Sequence, residues 1–217
     1  MGTVMLGPRF ANGSDELINA MIEESNARVE LGTVVHAITQ TGSGVTAETS
    51  RGTYQAAALI CAVPMTTLGS ITFTPELDHT KSAALALGHP GQGFKLWMAA
   101  KNAGGGVFAL GAPGPYHHLF TVEERGELAL LVGFGDAKCP DVNDLESLTT
   151  TLREYIPNAE VVAADAHDWH RDPHALGTWA IYPAGFTTRF EEALNRPHGA
   201  VAFAGGDISH VRPGYID

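Results

Sequence analysis

Histidines and one lysine are the side chains of this sequence with the most evident chemical potential. His167, His170 and His174 recur at positions i, i+3 and i+7, a spacing that would bring three imidazoles to one helix face and suits a zinc site. Pro173 interrupts any helix there, and no cysteine or carboxylate cluster completes a ligand set, so no metal site is predicted. Lys95 lies in an apolar, strand-like run, where alternation turns its side chain toward solvent unless it has a partner or a role.

General signatures of nucleotide binding and nucleophilic catalysis are absent. The sequence contains no G-x-G-x-x-G, Walker A, G-x-S-x-G or H-E-x-x-H motif. Its two cysteines, Cys61 and Cys139, form no disulfide framework and no multi-cysteine zinc site, which favours a reduced, cytoplasmic compartment.

Composition indicates a folded protein with an acidic surface. The 217 residues are 44% hydrophobic and 17% charged, which allows a sizeable core and argues against extensive disorder. The formal net charge is −11, without a basic run, so neither nucleic acid nor an anionic membrane is an expected partner. The longest apolar run, residues 56–65, is too short to span a bilayer and is broken by Pro64.

The elements that must position these residues form an α+β pattern. Capping signals and apolar periodicity predict helices, the third from a capping box that starts at Asn143, and apolar runs predict strands. Residues 54–63 are predicted to lead into a buried strand, and residues 167–190 to form an ordered loop with short strands. The predicted helices span 15–26, 80–87 and 144–155, and the predicted strands 28–31, 34–38, 45–49, 54–63, 94–98, 107–110, 128–134, 161–164 and 200–204.

A family resemblance rests on an ordered set of short motifs. Residues 203–207 (FAGGD), followed by the Pro-Gly-Tyr of 213–215, match the F-A-G-x-E and G-Y elements of a C-terminal flavin motif. Upstream, residues 169–185 match a W-x-x-D-P…G-x-Y…P-x-G stretch, and Gly-Phe-Lys at 93–95 matches a lysine-bearing segment. Residues 28–31, 54–64 and 71–77 also match in order. The sequence therefore resembles the C-terminal half of flavin-dependent monoamine and polyamine oxidases.

The resemblance implies a fold and its division. Residues 1–85 and 172–217 would form part of an FAD-binding domain, and residues 86–171 the substrate domain with a mixed or antiparallel sheet and helices. The FAD-binding domain, Rossmann-like and of the glutathione-reductase type, would lack its N-terminal βαβ unit. Such a fragment is expected to be inactive alone, to bind FAD weakly or not at all, and to associate with itself or with the missing N-terminal half.

The resemblance also assigns residues to a site. Lys95 would hold a water near flavin N5, and Trp179 and Tyr215 would flank the amine. Thr178 stands where some members attach FAD through cysteine, so non-covalent FAD is expected, and Asp207 replaces the commoner glutamate. The residues implied in cofactor binding are Val35, Trp169, Gly205, Gly206, Asp207, Gly214, Tyr215 and Ile216.

The implied activity is oxidation of an amine to an imine, with a hydride passed to FAD and O2 reduced to H2O2. Two alternatives stay open at this point. One is a truncated domain that binds no flavin and catalyses nothing. The other is a related flavoprotein, either a carotenoid-type desaturase or an L-amino-acid oxidase in which Arg171, Arg189 or Arg212 would meet a substrate carboxylate.

Overall fold

The computed structural model describes residues 10–89, 91–111, 114–136, 139–209 and 214–215. No helix in these ranges has both the length and the apolar character needed to cross a membrane. The helices are α1 (Asp15–Ser25), α2 (Met65–Leu68), α3 (His79–Leu87), α4 (Leu145–Arg153) and α5 (Phe186–Asn195). The strands are β1 (Val35–Thr41), β2 (Gly44–Thr49), β3 (Gly52–Ala56), β4 (Leu59–Cys61), β5 (Thr72–Thr74), β6 (Phe94–Lys101), β7 (Phe108–Leu110), β8 (His118–Arg125), β9 (Leu128–Gly135), β10 (Glu160–Ala166) and β11 (Val201–Phe203).

An antiparallel five-stranded sheet, in the order β10-β6-β9-β8-β7, forms the middle of the chain. Alternation along β6 buries Leu96 and Met98 on one face, where they join a core with Leu148 and Leu152 of α4. Lys95 lies on the opposite, outer face. The strand thus supplies the core with one set of side chains and leaves the other set for a surface site.

The strand register decides which side chains are neighbours on that outer face. Lys95 pairs with Phe134, and Phe134 pairs with His118, so the three form one row across β6, β9 and β8. Trp97 and Phe120 belong to the next row, joined through β9. Because residues directly opposite each other point to the same face, a lysine, a histidine and three aromatic rings share this surface.

The remaining strands form two smaller sheets that share a core. A four-stranded sheet has the order β3-β2-β1-β5, and β11 pairs with β4 in a two-stranded sheet. The β1–β5 and β11–β4 pairs are parallel. Ile38, Phe73 and Val201 are buried together between these strands. The mixed sheets and helices agree with the predicted α+β class, whereas the absence of a βαβ unit stays a prediction.

Two predicted strands are wrong in part. Residues 28–31 are irregular, and Leu31 is 80% exposed, because Glu30 bonds both Arg28 and the Tyr54 hydroxyl instead of entering a sheet. Residues 54–63 do not form one buried strand. They are divided between β3, whose residues are all exposed, and β4, because β3 is an edge strand.

The helices follow their local signals more closely. The helices predicted at 15–26, 80–87 and 144–155 are confirmed as α1, α3 and α4, but Asp144 rather than Asn143 caps α4 by accepting a hydrogen bond of 3.0 Å from Ser147 N. The loop predicted over residues 167–190 is wrong at its end, because helix α5 begins at Phe186. Gly185 precedes this helix with φ +82°, and Phe186 is among its buried residues.

A buried lysine joins three elements of the smaller core. Lys81 of α3 is 1% exposed, and its Nζ donates hydrogen bonds to Leu194 O at 2.7 Å and Arg196 O at 2.9 Å. The same atom lies 3.7 Å from the ring centre of Phe203 in β11. Burial lowers the pKa of Lys81 to about 8, and the nearby Asp78 carboxylate opposes that shift. The ammonium therefore caps the last carbonyls of α5 while it contacts β11.

Replacement of Lys81 by methionine should lower the free energy of unfolding by about 1–3 kcal/mol, because two buried carbonyls lose their donor. Urea unfolding of wild type, Lys81→Met and the exposed-site control Lys101→Met measures this effect. Because folding lowers the pKa of Lys81, the unfolded chain binds more protons than the folded chain above pH 8. The stability of the wild type relative to Lys81→Met should rise between about pH 8 and the ordinary lysine pKa. Equal stability of the three proteins would contradict this role.

Candidate active site

A cleft of about 470 Å³ opens between the outer face of the five-stranded sheet and residues 169–181. Its walls are mainly apolar and aromatic, with a few polar groups, a composition typical of small-molecule sites. Three predicted site residues, Lys95, Trp169 and Trp179, line it together. The full lining comprises Gln92, Gly93, Phe94, Lys95, His117, His118, Phe120, Phe134, Gly135, Asp136, Trp169, Thr178, Trp179 and Ile181.

The Lys95 ammonium lies over aromatic rings on the cleft wall. Its Nζ is 4.7 Å from the ring centre of Trp97 and 5.9 Å from that of Phe134. In the part of the chain that the structure describes, it has no hydrogen bond and no carboxylate partner. Cation–π contacts leave the three N–H donors of an ammonium unused. The group is therefore free to bind a water or a ligand in the cleft.

Thr178 connects the two walls of the cleft. Its Oγ1 donates to Gly91 O at 2.9 Å and accepts from Gly93 N at 3.0 Å. Its backbone N–H also donates to Gly91 O at 2.9 Å. A Cβ on Gly91 would overlap the carbonyl oxygen of Trp179. This close approach fixes Trp179, the residue after Thr178, beside the start of β6 and hence near Lys95.

Trp179 and Tyr215, the predicted amine-flanking pair, are in contact with each other. Their ring centroids are 5.0 Å apart at an interplanar angle of 84°, an edge-to-face arrangement. Gly214 has φ +88°, and a Cβ there would overlap the indole of Trp179. The two rings are thus packed together where Trp179 lines the cleft. An amine held between two ring faces needs the faces to be about 7 Å apart, because each contact takes about 3.5 Å. Amine binding between them requires the rings to separate.

Trp169 is held by its own loop. The His167 ring lies 4.1 Å from the Trp169 ring, centroid to centroid, and His167 Nε2 is 2.8 Å from Asp172 Oδ2. The backbone N–H of His174 and the contact with His167 lower the pKa of Asp172. Two of the three histidines considered as metal ligands therefore surround one carboxylate. No three metal-ligating side chains converge in the described ranges.

The predicted cofactor residues Gly205, Gly206 and Asp207 line a separate cavity of about 120 Å³ beside residues 62–64. Gly205 has φ +127°, a conformation that favours glycine. Asp207 Oδ2 accepts a hydrogen bond of 2.8 Å from Met65 N at the start of α2, so its carboxylate is used within the protein. Gly214 N donates to Gly206 O at 2.7 Å, which connects this cavity to the Trp179–Tyr215 pair.

Three predicted cofactor residues that the structure describes, Val35, Gly214 and Tyr215, are not among the residues that line either cavity. Val35 begins β1 and packs beside the smaller core, away from the lining of both. Ile216 lies outside the described residues. Their assignments stay predictions.

Sequence reasoning missed two histidines of the cleft. No sequence motif includes His117 or His118, but β8 begins at His118 and both residues line the cleft. His117 Nε2 lies 2.9 Å from Asp136 Oδ1, a contact that lowers the pKa of Asp136. The sequence gives little indication of this, because only the pairing with β9 shows that strand β8 already begins at His118.

Comparison with known proteins identifies the family. A model of the flavin containing amine oxidoreductase family matches residues 2–217. The chain belongs to that family. It is 35% identical to pseudooxynicotine dehydrogenase from Pseudomonas sp, over 96% of this chain and 43% of the relative. It is also 35% identical to (S)-6-hydroxynicotine oxidase from Paenarthrobacter nicotinovorans, over 100% of this chain and 51% of the relative. The chain thus spans about half the length of these curated relatives.

Solved structures of family members have the same fold. Wild-type putrescine oxidase bound to putrescine superposes with a TM-score of 0.77 at 18% identity, over 94% of this chain and 49% of that one. A redesigned triple mutant of the same enzyme gives a TM-score of 0.79 at 17% identity. The fold of this chain is therefore like that of the matched half of putrescine oxidase.

Replacement of Thr178 by valine should lower the free energy of unfolding by about 1–3 kcal/mol, because Gly93 N–H loses its acceptor and Gly91 O loses one of its donors. Thr178→Ser keeps the hydroxyl and should retain most of the stability. Urea unfolding measured by tryptophan fluorescence tests both, with Thr53→Val on the exposed strand β3 as the matched control. A Thr178→Val protein as stable as the control would show that the hydroxyl does not hold the cleft together.

Proposed function

We propose that this chain supplies the amine-binding half of an FAD-dependent amine oxidase. The observation that supports the proposal best is the convergence of Lys95, Trp169 and Trp179 on one aromatic cleft, with Tyr215 packed on Trp179. These residues were predicted from three separate segments of sequence. Family membership supports a flavin cofactor, and the cleft would provide the place for the amine.

The chain's own residues suit one end of a long flavin cofactor. At Gly205, which lines the small cavity, an added Cβ would have only Ala62 O nearby, at 3.8 Å, so bare backbone there borders open space. Gly205, Gly206 and Gly214 would hold the cofactor through their backbone, and Trp169 would pack beside it. When bound, FAD supplies the two-electron acceptor for amine oxidation.

The side chains of the cleft would bind and orient the amine. Apolar walls disfavour an ammonium ion, so the amine is expected to enter the reactive position uncharged. Trp179 and Tyr215 would present ring faces on either side of the nitrogen once they separate. Lys95 would hold a water at the reactive end through its unused N–H donors.

The whole protein would convert a C–N single bond to an imine and pass two electrons to O2, with H2O2 as the second product. Two relatives are named for pseudooxynicotine and 6-hydroxynicotine, amines derived from nicotine. We extend that class to this protein: a small amine that carries a flat aromatic ring. The aromatic outer face of the sheet supports this choice.

Apolar side chains that are exposed on this chain support the presence of a binding partner that would cover them. Helix α1 buries none of its residues, although Ile18 and Met21 are more than half exposed. Ile60 of β4 is 71% exposed, in a parallel sheet of two strands that rarely stands alone. The expected cover is the N-terminal half that the relatives possess, or a second copy of the chain.

An amino-acid substrate receives less support from the cleft. None of its described lining residues is an arginine, the usual partner of a substrate carboxylate. Arg171 is 3.7 Å from Asp168 and lines an adjoining cavity, and Arg189 lies over the Phe190 ring. Arg212 lies outside the described residues.

Replacement of Lys95 by methionine should leave FAD bound and slow flavin reduction or reoxidation by roughly 10²-fold, because a positioned polar group is lost at the reactive end. Stopped-flow measurement of both half-reactions in flavin-loaded protein tests this expectation. The flavin content of each protein is measured first, and Lys101→Met at the far end of β6 is the control.

Unchanged rates in both half-reactions would remove Lys95 from the active site. Failure of any amine to reduce the flavin of the wild-type protein would overturn the proposed function itself. A purified protein that takes up no flavin with its N-terminal half present would favour the non-catalytic alternative.

Flavin should be bound without a covalent link, because Thr178 offers no thiol where some family members form a thioether. Precipitation of the flavin-loaded protein with acid should release all flavin into the supernatant, measured by absorbance. Thr178→Cys supplies the missing thiol and is the matched variant. Yellow colour that stays in the wild-type pellet would contradict the prediction.

A further inference from the structure

His118 stands at the far end of the row that begins with Lys95. Phe134 lies between them, paired with Lys95 on one side and with His118 on the other. The Phe120 ring lies 6.0 Å from the Phe134 ring at 29°, so two nearly parallel rings continue the wall beside the histidine. The row therefore presents a cation, an aromatic surface and an imidazole in sequence.

The imidazole of His118 is oriented but has no polar partner. Its ring meets the Phe134 ring edge-on, 6.4 Å between centroids at 86°. Within the described residues it makes no hydrogen bond or ion pair, whereas its neighbour His117 is bound to Asp136. A neutral imidazole carries one donor and one acceptor nitrogen. An unused hydrogen-bonding group on an aromatic wall is suited to a polar atom of a bound ring.

We infer that His118 determines specificity by hydrogen bonding to a heteroatom on the edge of the substrate's aromatic ring. The inference rests on the proposed function, which places the amine near Lys95 and Trp179. The ligand class is a small amine whose ring carries a nitrogen or a hydroxyl at the end away from the amine. Phe134 and Phe120 contact the ring, and His118 distinguishes a pyridine-type ring from a phenyl ring.

The dimensions of the sheet fit such a ligand. Lys95 and His118 are two strands apart, so their backbones are separated by roughly 10 Å, twice the spacing of neighbouring strands. An aminomethyl group on a six-membered ring, with one hydrogen bond at each end, spans a comparable length. With the amine at Lys95 and Trp179, the ring lies over Phe134 and its distal edge meets His118.

The discrimination comes from an unpaired polar group. A ring nitrogen can accept a hydrogen bond from the exposed His118 imidazole, whereas a phenyl ring offers it no polar partner. A net hydrogen bond of about 0.5–1.5 kcal/mol corresponds to a preference of roughly 2- to 13-fold. The expected effect is therefore a measurable affinity ratio between two rings of equal size.

The test uses the 217-residue chain without flavin, because every group in the argument belongs to it. Its three tryptophans all lie in the cleft or beside Lys95, so their fluorescence reports binding. Titration with 3-(aminomethyl)pyridine and with benzylamine compares ligands that differ at one ring atom. The wild-type chain should bind the pyridine about 3- to 10-fold more tightly.

His118→Phe keeps a ring of similar size and removes both nitrogens. It should bring the affinity ratio of the two amines to about one. His118→Gln, which keeps a hydrogen-bonding group, should restore part of the preference. His36→Phe, on strand β1 away from the cleft, is the control and should behave as wild type.

A His118→Phe chain that keeps the preference for pyridine would overturn the inference, as would a wild-type chain that shows no preference or binds neither amine. Failure of the proposed function has a different signature. In that case neither amine reduces the flavin of the loaded wild-type protein, whatever the affinity ratio in the chain. Flavin reduction with the same kcat/KM ratio of the two amines in wild type and His118→Phe would overturn the role of His118 alone.

Discussion

The geometry of the cleft depends on the hydroxyl of Thr178. This side chain donates to Gly91 and accepts from Gly93 just before β6, residues more than 80 positions away in the chain. Trp179 follows directly in the chain, so its indole is placed relative to Lys95 by short, directional bonds. Hydroxyl hydrogen bonds hold atoms to within a few tenths of an ångström, which apolar packing alone does less strictly. The positions of the two cleft walls relative to each other therefore depend on the hydrogen bonds of Thr178.

Strand β6 serves the core and the cleft with alternate residues. Leu96 and Met98 are fully buried against α4, which makes the position of the strand rigid. The backbone positions of Lys95 and Trp97 on the other face are fixed as well, because these residues belong to the same strand. A site on a packed strand loses less conformational entropy when a ligand binds than a site on a loop does. The aromatic outer face is therefore stable without a ligand, although its rings are partly exposed to water.

Sequence reasoning predicted the local features and missed those set by distant contacts. Helix α4 has its own cap and periodicity, α1 was predicted from acidic residues in its first turn and apolar periodicity, and the motif around Lys95 was found by resemblance. Burial of Lys81 was not visible, because its partners are carbonyls more than 110 residues away. His118 was missed for the same reason: its strand is defined by its register with β9, and register is a property of two segments. Local patterns carry no information on such pairings.

The contact between Trp179 and Tyr215 links the amine site to the glycine segment at 205–206. Trp179 is fixed by its neighbour Thr178, so separation of the two rings must come mainly from movement of Tyr215. The chain at Gly214 is bound to Gly206 O by a hydrogen bond of 2.7 Å, and Gly206 borders the cavity assigned to the cofactor. A group bound along these glycines would contact the backbone that leads to Tyr215. The aromatic pair and the glycine segment therefore share one hydrogen-bonded stretch of backbone, which makes the two regions neighbours in the fold.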